Sequence, residues 1–169
     1  VADNGSGLPG NVVRRVNYFG QLPTSQYGEA LFATTAAQSL TKTGTGTLTL
    51  NGTNTFGGVT NVNNGVVVVT TNSALGAATA GTTVASGATL RLTGTGLSIP
   101  ENLTVTGTGI ANSGVLINTA NANQITGTIT AGGPSDLRIN SEAGTLTLTN
   151  TLDEKYARVF VGGSGDVVI

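Results

Sequence analysis

The sequence contains no cysteine, histidine, methionine or tryptophan. Lack of cysteine rules out disulfides and thiolate metal sites. Lack of histidine removes the usual metal ligand, the usual general base and every Ser-His or Cys-His nucleophile pair. Charge is also scarce, at 9% of residues against about 25% in ordinary domains. A formal net charge of −1 gives no electrostatic footprint for nucleic acid or an anionic membrane. Arg14-Arg15 is the single adjacent basic pair and reads as solvated surface. No apolar run reaches the ~18–20 residues of a membrane helix, so this segment is not expected to insert into a bilayer. No signal peptide is recognisable. The chain starts at Val1 and stops at Val167-Val168-Ile169 within a strand pattern, so it is expected to be a piece of something longer or a processed form.

Thr, Gly and Asn fill the place of the missing charge. Disorder usually carries high charge and few β-branched residues; here Val, Ile and Thr abound, which favours an ordered β-protein. A chain of 169 residues is long enough for one domain with a core. Residues 1–39 stand apart, since they hold Tyr18, Phe19, Tyr27 and Phe32, with Pro9 and Pro23. They are expected to form an irregular capping or assembly segment, because an open solenoid has an end to cover.

From Leu40 onward one phrase recurs: a turn on Gly and Asn, then a short strand alternating Thr with Leu or Val. It occurs at Thr45–Gly52, Asn61–Val69, Thr83–Leu92, Arg138–Asn150 and Phe160–Ile169. In Thr47-Leu48-Thr49-Leu50 the leucines fall on one face and the threonines on the other. The same holds for Leu103–Thr106, Ile125–Thr130 and Leu146–Thr149. Apolar side chains should stack inward and threonines should face water. Asn61, Asn63, Asn118, Asn121 and Asn123 are expected to bond backbone at turns or to stack as ladders. The turn glycines Gly65, Gly87, Gly114, Gly144 and Gly165 are unevenly spaced, which a propeller would not show. Residues 40–169 are therefore expected to form an all-β fold, a right-handed parallel β-helix (β-solenoid). Five to seven rungs at ~4.8 Å would give a rod of roughly 25–35 Å. An antiparallel β-sandwich is the structural rival, because its short strands and glycine turns look similar.

Leu40 to Val68, with Lys42-Thr43-Gly44-Thr45-Gly46-Thr47-Leu48, then Phe56-Gly57-Gly58, then Thr60-Asn61-Val62-Asn63-Asn64-Gly65, resembles the passenger-associated transport repeat of bacterial autotransporters. The continuation through Asn72-Ser73-Ala74-Leu75-Gly76 and Thr82–Leu92 is similar to such passengers too, so the resemblance covers 40–92, about a third of the chain. It implies a secreted or cell-surface β-helix of a Gram-negative type of bacterium, in which the repeat helps the passenger fold as it emerges. No aromatic-girdled barrel strands occur in these residues. A cleaved passenger, a fragment or a related fibre or sheath protein would all fit.

Candidate chemistry is thin. Asp136, Glu142, Asp153 and Glu154, with Arg138, Lys155 and Arg158, are the residues from which a carbohydrate-active enzyme could be built; the simpler reading is a solvated loop around Asp153-Glu154-Lys155. Gly162-Gly163-Ser164-Gly165-Asp166 is close to a calcium nonapeptide but lacks one residue and occurs once, so it reads as a turn. The Thr-x-Thr runs at Thr43–Thr49, Thr104–Thr108, Thr126–Thr130 and Thr145–Thr149 suggest an ice-binding array, which unequal rungs should spoil. Asn4, Asn51 and Asn102 open Asn-x-Ser/Thr sequons. No catalytic, cofactor-binding or metal-binding residue is assigned. The first expectation is an extracellular structural or adhesive solenoid segment. It would self-associate through its ends or through residues 1–39, with a glycan or cell-surface ligand as a further partner. A β-helix polysaccharide lyase or hydrolase is the alternative, and an ice-binding protein a third.

Overall fold

The computed structural model describes residues 38–169. The capping segment expected at 1–39 therefore lies outside the described residues, apart from Gln38 and Ser39, as do Arg14-Arg15 and Asn4.

Short strands alternate with tight turns and stack into three parallel sheets. The first sheet orders β1 (Leu40–Lys42), β3 (Thr60–Val62), β5 (Thr82–Val84), β8 (Leu103–Val105), β11 (Ile129–Ala131) and β14 (Leu152–Asp153). The second orders β2 (Thr47–Leu50), β4 (Gly65–Val69), β6 (Ala88–Leu92), β9 (Leu116–Asn118), β12 (Leu137–Ser141) and β15 (Val159–Gly162). The third orders β7 (Ser98–Ile99), β10 (Ala122–Ile125), β13 (Thr145–Leu148) and β16 (Asp166–Val168). Each strand pairs with its counterpart one coil away, always in parallel. The chain is a β-solenoid of about six turns, and the antiparallel sandwich is excluded. At the usual strand spacing the stack is roughly 25–30 Å long.

The alternation read from sequence builds the core. Leu48, Val67, Leu90, Leu116 and Ile139 are register partners from coil to coil and form one buried column. Ile99, Ile125 and Leu148 form another on the third side. Each fully buried aliphatic side chain stabilises by about 1.5–3 kcal/mol. The first two coils have no strand on the third side. There residues 51–59 and 70–81 pass as loops, and Phe56 and Leu75 fill the space that strands enclose further along.

Threonines of the Thr-Leu runs point outward, as expected, but Thr60 and Thr82 are buried. Both open strands of the first sheet, where the inward phase starts on the first residue. Thr60 donates its hydroxyl to the Leu75 carbonyl at 2.9 Å.

The unequal turn spacing has a simple origin. Gly65, Gly87 and Gly114 lie at the corner leading into the second sheet, whereas Gly144 and Gly165 lie at the corner leading into the third. The same strand–turn–strand phrase serves two corners, so reading it as one series mixes them. The true coil lengths follow from the register Leu40–Thr60–Thr82–Leu103–Ile129–Leu152, giving steps of 20, 22, 21, 26 and 23 residues.

At the corner into the third sheet the asparagines bond backbone groups, as expected, but they do not stack as a ladder, since the register partners of Asn118 are Leu92 and Ser141. The Asn123 amide donates to Asn118 Oδ1 at 2.8 Å, and the Asn118 amide donates to Ser141 Oγ at 3.1 Å and to the Ala143 carbonyl at 3.0 Å. Asn118, Asn123 and Ser141 are buried, and these bonds satisfy groups that would otherwise destabilise the core. Asn121 turns the same corner with φ 66°, a conformation asparagine tolerates better than most residues.

Candidate interaction surface

The two largest side chains of the repeat resemblance outside its aliphatic positions, Lys42 and Phe56, lie inside the stack. Lys42 is 2% exposed. Its ammonium donates to the carbonyls of Thr43 at 2.9 Å, Gly44 at 2.6 Å and Asn64 at 3.1 Å. The last bond reaches the next coil, so one side chain ties the first turn of coil 1 to that of coil 2. Burial lowers its pKa from the usual lysine range, yet all three protons have acceptors. Phe56 is 1% exposed and lies against Gly76, where a Cβ would stand 2.6 Å from the ring. The Asn54 amide donates to the Ala74 carbonyl at 2.6 Å. These groups fasten coil to coil and are not presented to a ligand.

The outward positions form the surface a partner would meet. On the first sheet, Thr41, Asn61, Thr83, Thr104, Thr130 and Asp153 fall in one column, one per coil. Unequal coil lengths do not disturb this column, because the extra residues are taken up at corners and loops; the sequence reading expected them to spoil it. The neighbouring column, Thr43, Asn63, Ala85, Thr106 and Gly132, is broken by Ala85 and Gly132, so no two-column hydroxyl lattice forms.

The second sheet has a more varied outer face. Between β8 and β9 the chain rises over it in a loop with one 3-10 turn (Ile110–Asn112), in which Ala111 and Asn112 have positive φ. Thr89 anchors this loop. Its hydroxyl accepts from the Ile110 N–H at 3.1 Å and donates to the Gly114 carbonyl at 3.0 Å. From the next coil, the Asn140 amide donates to the Ser113 carbonyl. A shallow groove of about 240 Å³ runs between the loop and the sheet, with Val66 and Val68 as its floor and Arg91, Ile110 and Ser113 at its side. Arg91 pairs with Glu142 at 2.8 Å. Further along, Phe160 is 39% exposed and lies under two guanidinium groups, Arg138 at 5.5 Å and Arg158 at 5.7 Å. Arg158 also holds Asp136 through two bonds, at 2.9 and 2.8 Å.

Two of the acidic residues weighed for hydrolysis are taken up in ion pairs. Asp136 is held by Arg158 and Glu142 by Arg91, while Asp153 accepts from the Lys155 N–H at 3.2 Å in a turn with Lys155 at positive φ. A glycosidase pair needs carboxyls about 5–10 Å apart across an open cleft. Among the described residues no three acidic groups gather at a potential metal position. Gly162–Asp166 forms the corner of the last coil, with the Gly165 and Asp166 N–H groups bonded to Ser141 and Gly144 carbonyls. The sequon residue Asn102 uses its side-chain oxygen to accept from the Thr128 N–H at 2.9 Å. Among the described residues no helix is long and apolar enough to cross a membrane.

The sequence reading passed over Glu101. It is 1% exposed, neither carboxylate oxygen has a hydrogen-bond partner, and burial pushes its pKa up to about 7. The signal was present: Ile99, Glu101, Leu103 and Val105 share one phase of a strand-like alternation.

Comparison with known proteins returns one family. Residues 40–69 match the passenger-associated transport repeat. No curated protein and no solved structure matches the chain. The match covers coil 1 and the strands that open coil 2, and it includes Lys42, Phe56 and Gly65. That repeat lies in the first described coils of a continuous parallel stack, so the chain is a β-solenoid that carries a passenger-associated transport repeat and is similar in this to autotransporter passengers.

Proposed function

We propose that this chain is a rod segment of a secreted or surface-displayed passenger of a Gram-negative type of bacterium, with a structural and adhesive role. One observation carries the reading: Lys42 and Phe56, both inside the matched repeat, are coil-to-coil fasteners. The repeat then acts by locking its coil to the next, and the coils that follow extend the stack. The outer faces supply the contact surface. The first sheet offers a nearly uncharged Thr/Asn column, and the second offers Phe160 beneath two guanidinium groups, a combination of ring and donors suited to a glycan or a cell-surface protein.

End-to-end assembly is part of the proposal. The end of an open solenoid is a row of unpaired strand edges, and such an edge is a template for strand addition by another copy. Electron microscopy of the purified chain at rising concentration is expected to reveal filaments or end-joined rods. Monodisperse single rods at every concentration would remove the polymer claim. Labelling of intact producing cells with an antibody against the chain tests display, and labelling seen only after lysis would sink it.

A further inference from the structure

We infer that Glu101 is a proton-operated fastening at the junction of the third and fourth coils: its carboxyl is held neutral inside the stack, and ionisation loosens these coils from one another. Glu101 follows Pro100 at the corner between β7 and β8. The alternation that sends Ile99, Leu103 and Val105 into the core sends Glu101 there as well. The backbone around it is bonded on both sides. On the coil before, the Thr82 N–H donates to the Asn102 carbonyl at 2.9 Å; on the coil after, the Thr126 N–H donates to Ile99 O at 2.7 Å and the Leu103 N–H to Thr128 O at 2.8 Å. Gly127 packs so closely that a Cβ would stand 2.0 Å from the Glu101 carbonyl oxygen. The backbone that carries the carboxyl is thus fixed between its neighbouring coils.

No charge compensates it. Between residues 43 and 135 the sequence has two charged residues, Arg91 and Glu101. Arg91 is on the outer face of the second sheet, paired with Glu142. The fifth coil adds Asp136 and Arg138, but Asp136 is held by Arg158 and Arg138 lies over Phe160. The coil before Glu101, through β5, brings no titratable group to this corner. Desolvation favours the neutral acid and outweighs the opposing pull of the residue's own backbone N–H, so the pKa is pushed up from 4.5 to about 7.

The sign follows from linkage. Between pH 4.5 and 7 the folded chain holds a proton that the unfolded chain has released. The contribution is fully present below 4.5, is lost as pH rises through 7, and changes no further above that. Denaturant titrations of the full chain from pH 4.5 to well above 7 are expected to show the folded-to-unfolded ratio falling on the order of a hundredfold across the window. Glu101→Gln should remove that dependence, whereas a Glu101→Gln protein with the wild-type pH profile would overturn the proposal. Should the glutamine variant fail to fold, the native chain still decides. With the side-chain carboxyls carrying a ¹³C label, the Glu101 resonance should titrate near 7, while amide-exchange protection in β8 and β10 drops over the same range. Titration near 4.5, or protection that does not change with pH, would overturn it.

Discussion

At the scale of single residues, a solenoid built from small polar side chains depends on a few large or charged ones in its first described coil. Phe56 fills the side of coil 1 that lacks a strand. Phe56→Ala leaves a cavity that Gly76, with no side chain, cannot close, and is expected to cost about 3–5 kcal/mol in urea unfolding. Lys42→Met tests a different contribution. Methionine keeps the stem but strands the carbonyls of Thr43, Gly44 and Asn64 without their donor. A loss of about 3 kcal/mol is expected, appearing as earlier exchange of amides in β1 to β4 than in the coils beyond. Lys42 and Phe56 were visible in the sequence through their place in the repeat pattern. Their burial was not, because a lysine in a Thr/Gly-rich turn reads as solvated until the facing carbonyls are known. Glu101 was missed for the converse reason: carboxylates were weighed by proximity to other charges, and the one without such neighbours is the one the core enclosed.

At the scale of elements, the strands were legible and their assignment to sheets was not. Period-two alternation fixes which side chains of Thr47–Leu50 or Leu146–Thr149 go inward, since backbone geometry leaves no other choice. It does not tell which of three sheets a strand joins, because the turns before β6 and before β13 use the same Gly-rich chemistry. Parallel register across a coil is decided by contacts some twenty residues apart, which local pattern cannot carry. The loop over the second sheet carries no local signal of its own for the same reason. Its anchor is the Thr89 hydroxyl, which serves two backbone groups. Thr89→Val retains shape and removes both bonds, so a loss of about 1–3 kcal/mol is expected. Proteolysis should then cut first between Gly107 and Gly114, with the remaining coils intact. Unchanged cleavage there would mean that Asn140 alone holds the loop.

At the scale of the whole molecule, stability comes from stacked aliphatic columns and from backbone pairing between coils. Only two ion pairs occur among the described residues, Arg91–Glu142 and Arg158–Asp136, and both are exposed. Exposed pairs contribute about 0–1 kcal/mol and are screened by salt. Raising NaCl from about 0.05 to about 1 M is therefore expected to change the unfolding free energy by less than about 1 kcal/mol. A large salt-induced loss would point to charge coupling that this architecture does not contain. The register steps of 20 to 26 residues carry a geometric consequence. A coil of 26 residues advances the rod by the same single strand spacing as a coil of 20. Reach from end to end is thus counted in turns of chain, and surplus residues add girth at the corners without displacing anything above or below. Such a molecule can grow new loops along its flank, as between β8 and β9, while the distance between its ends stays fixed.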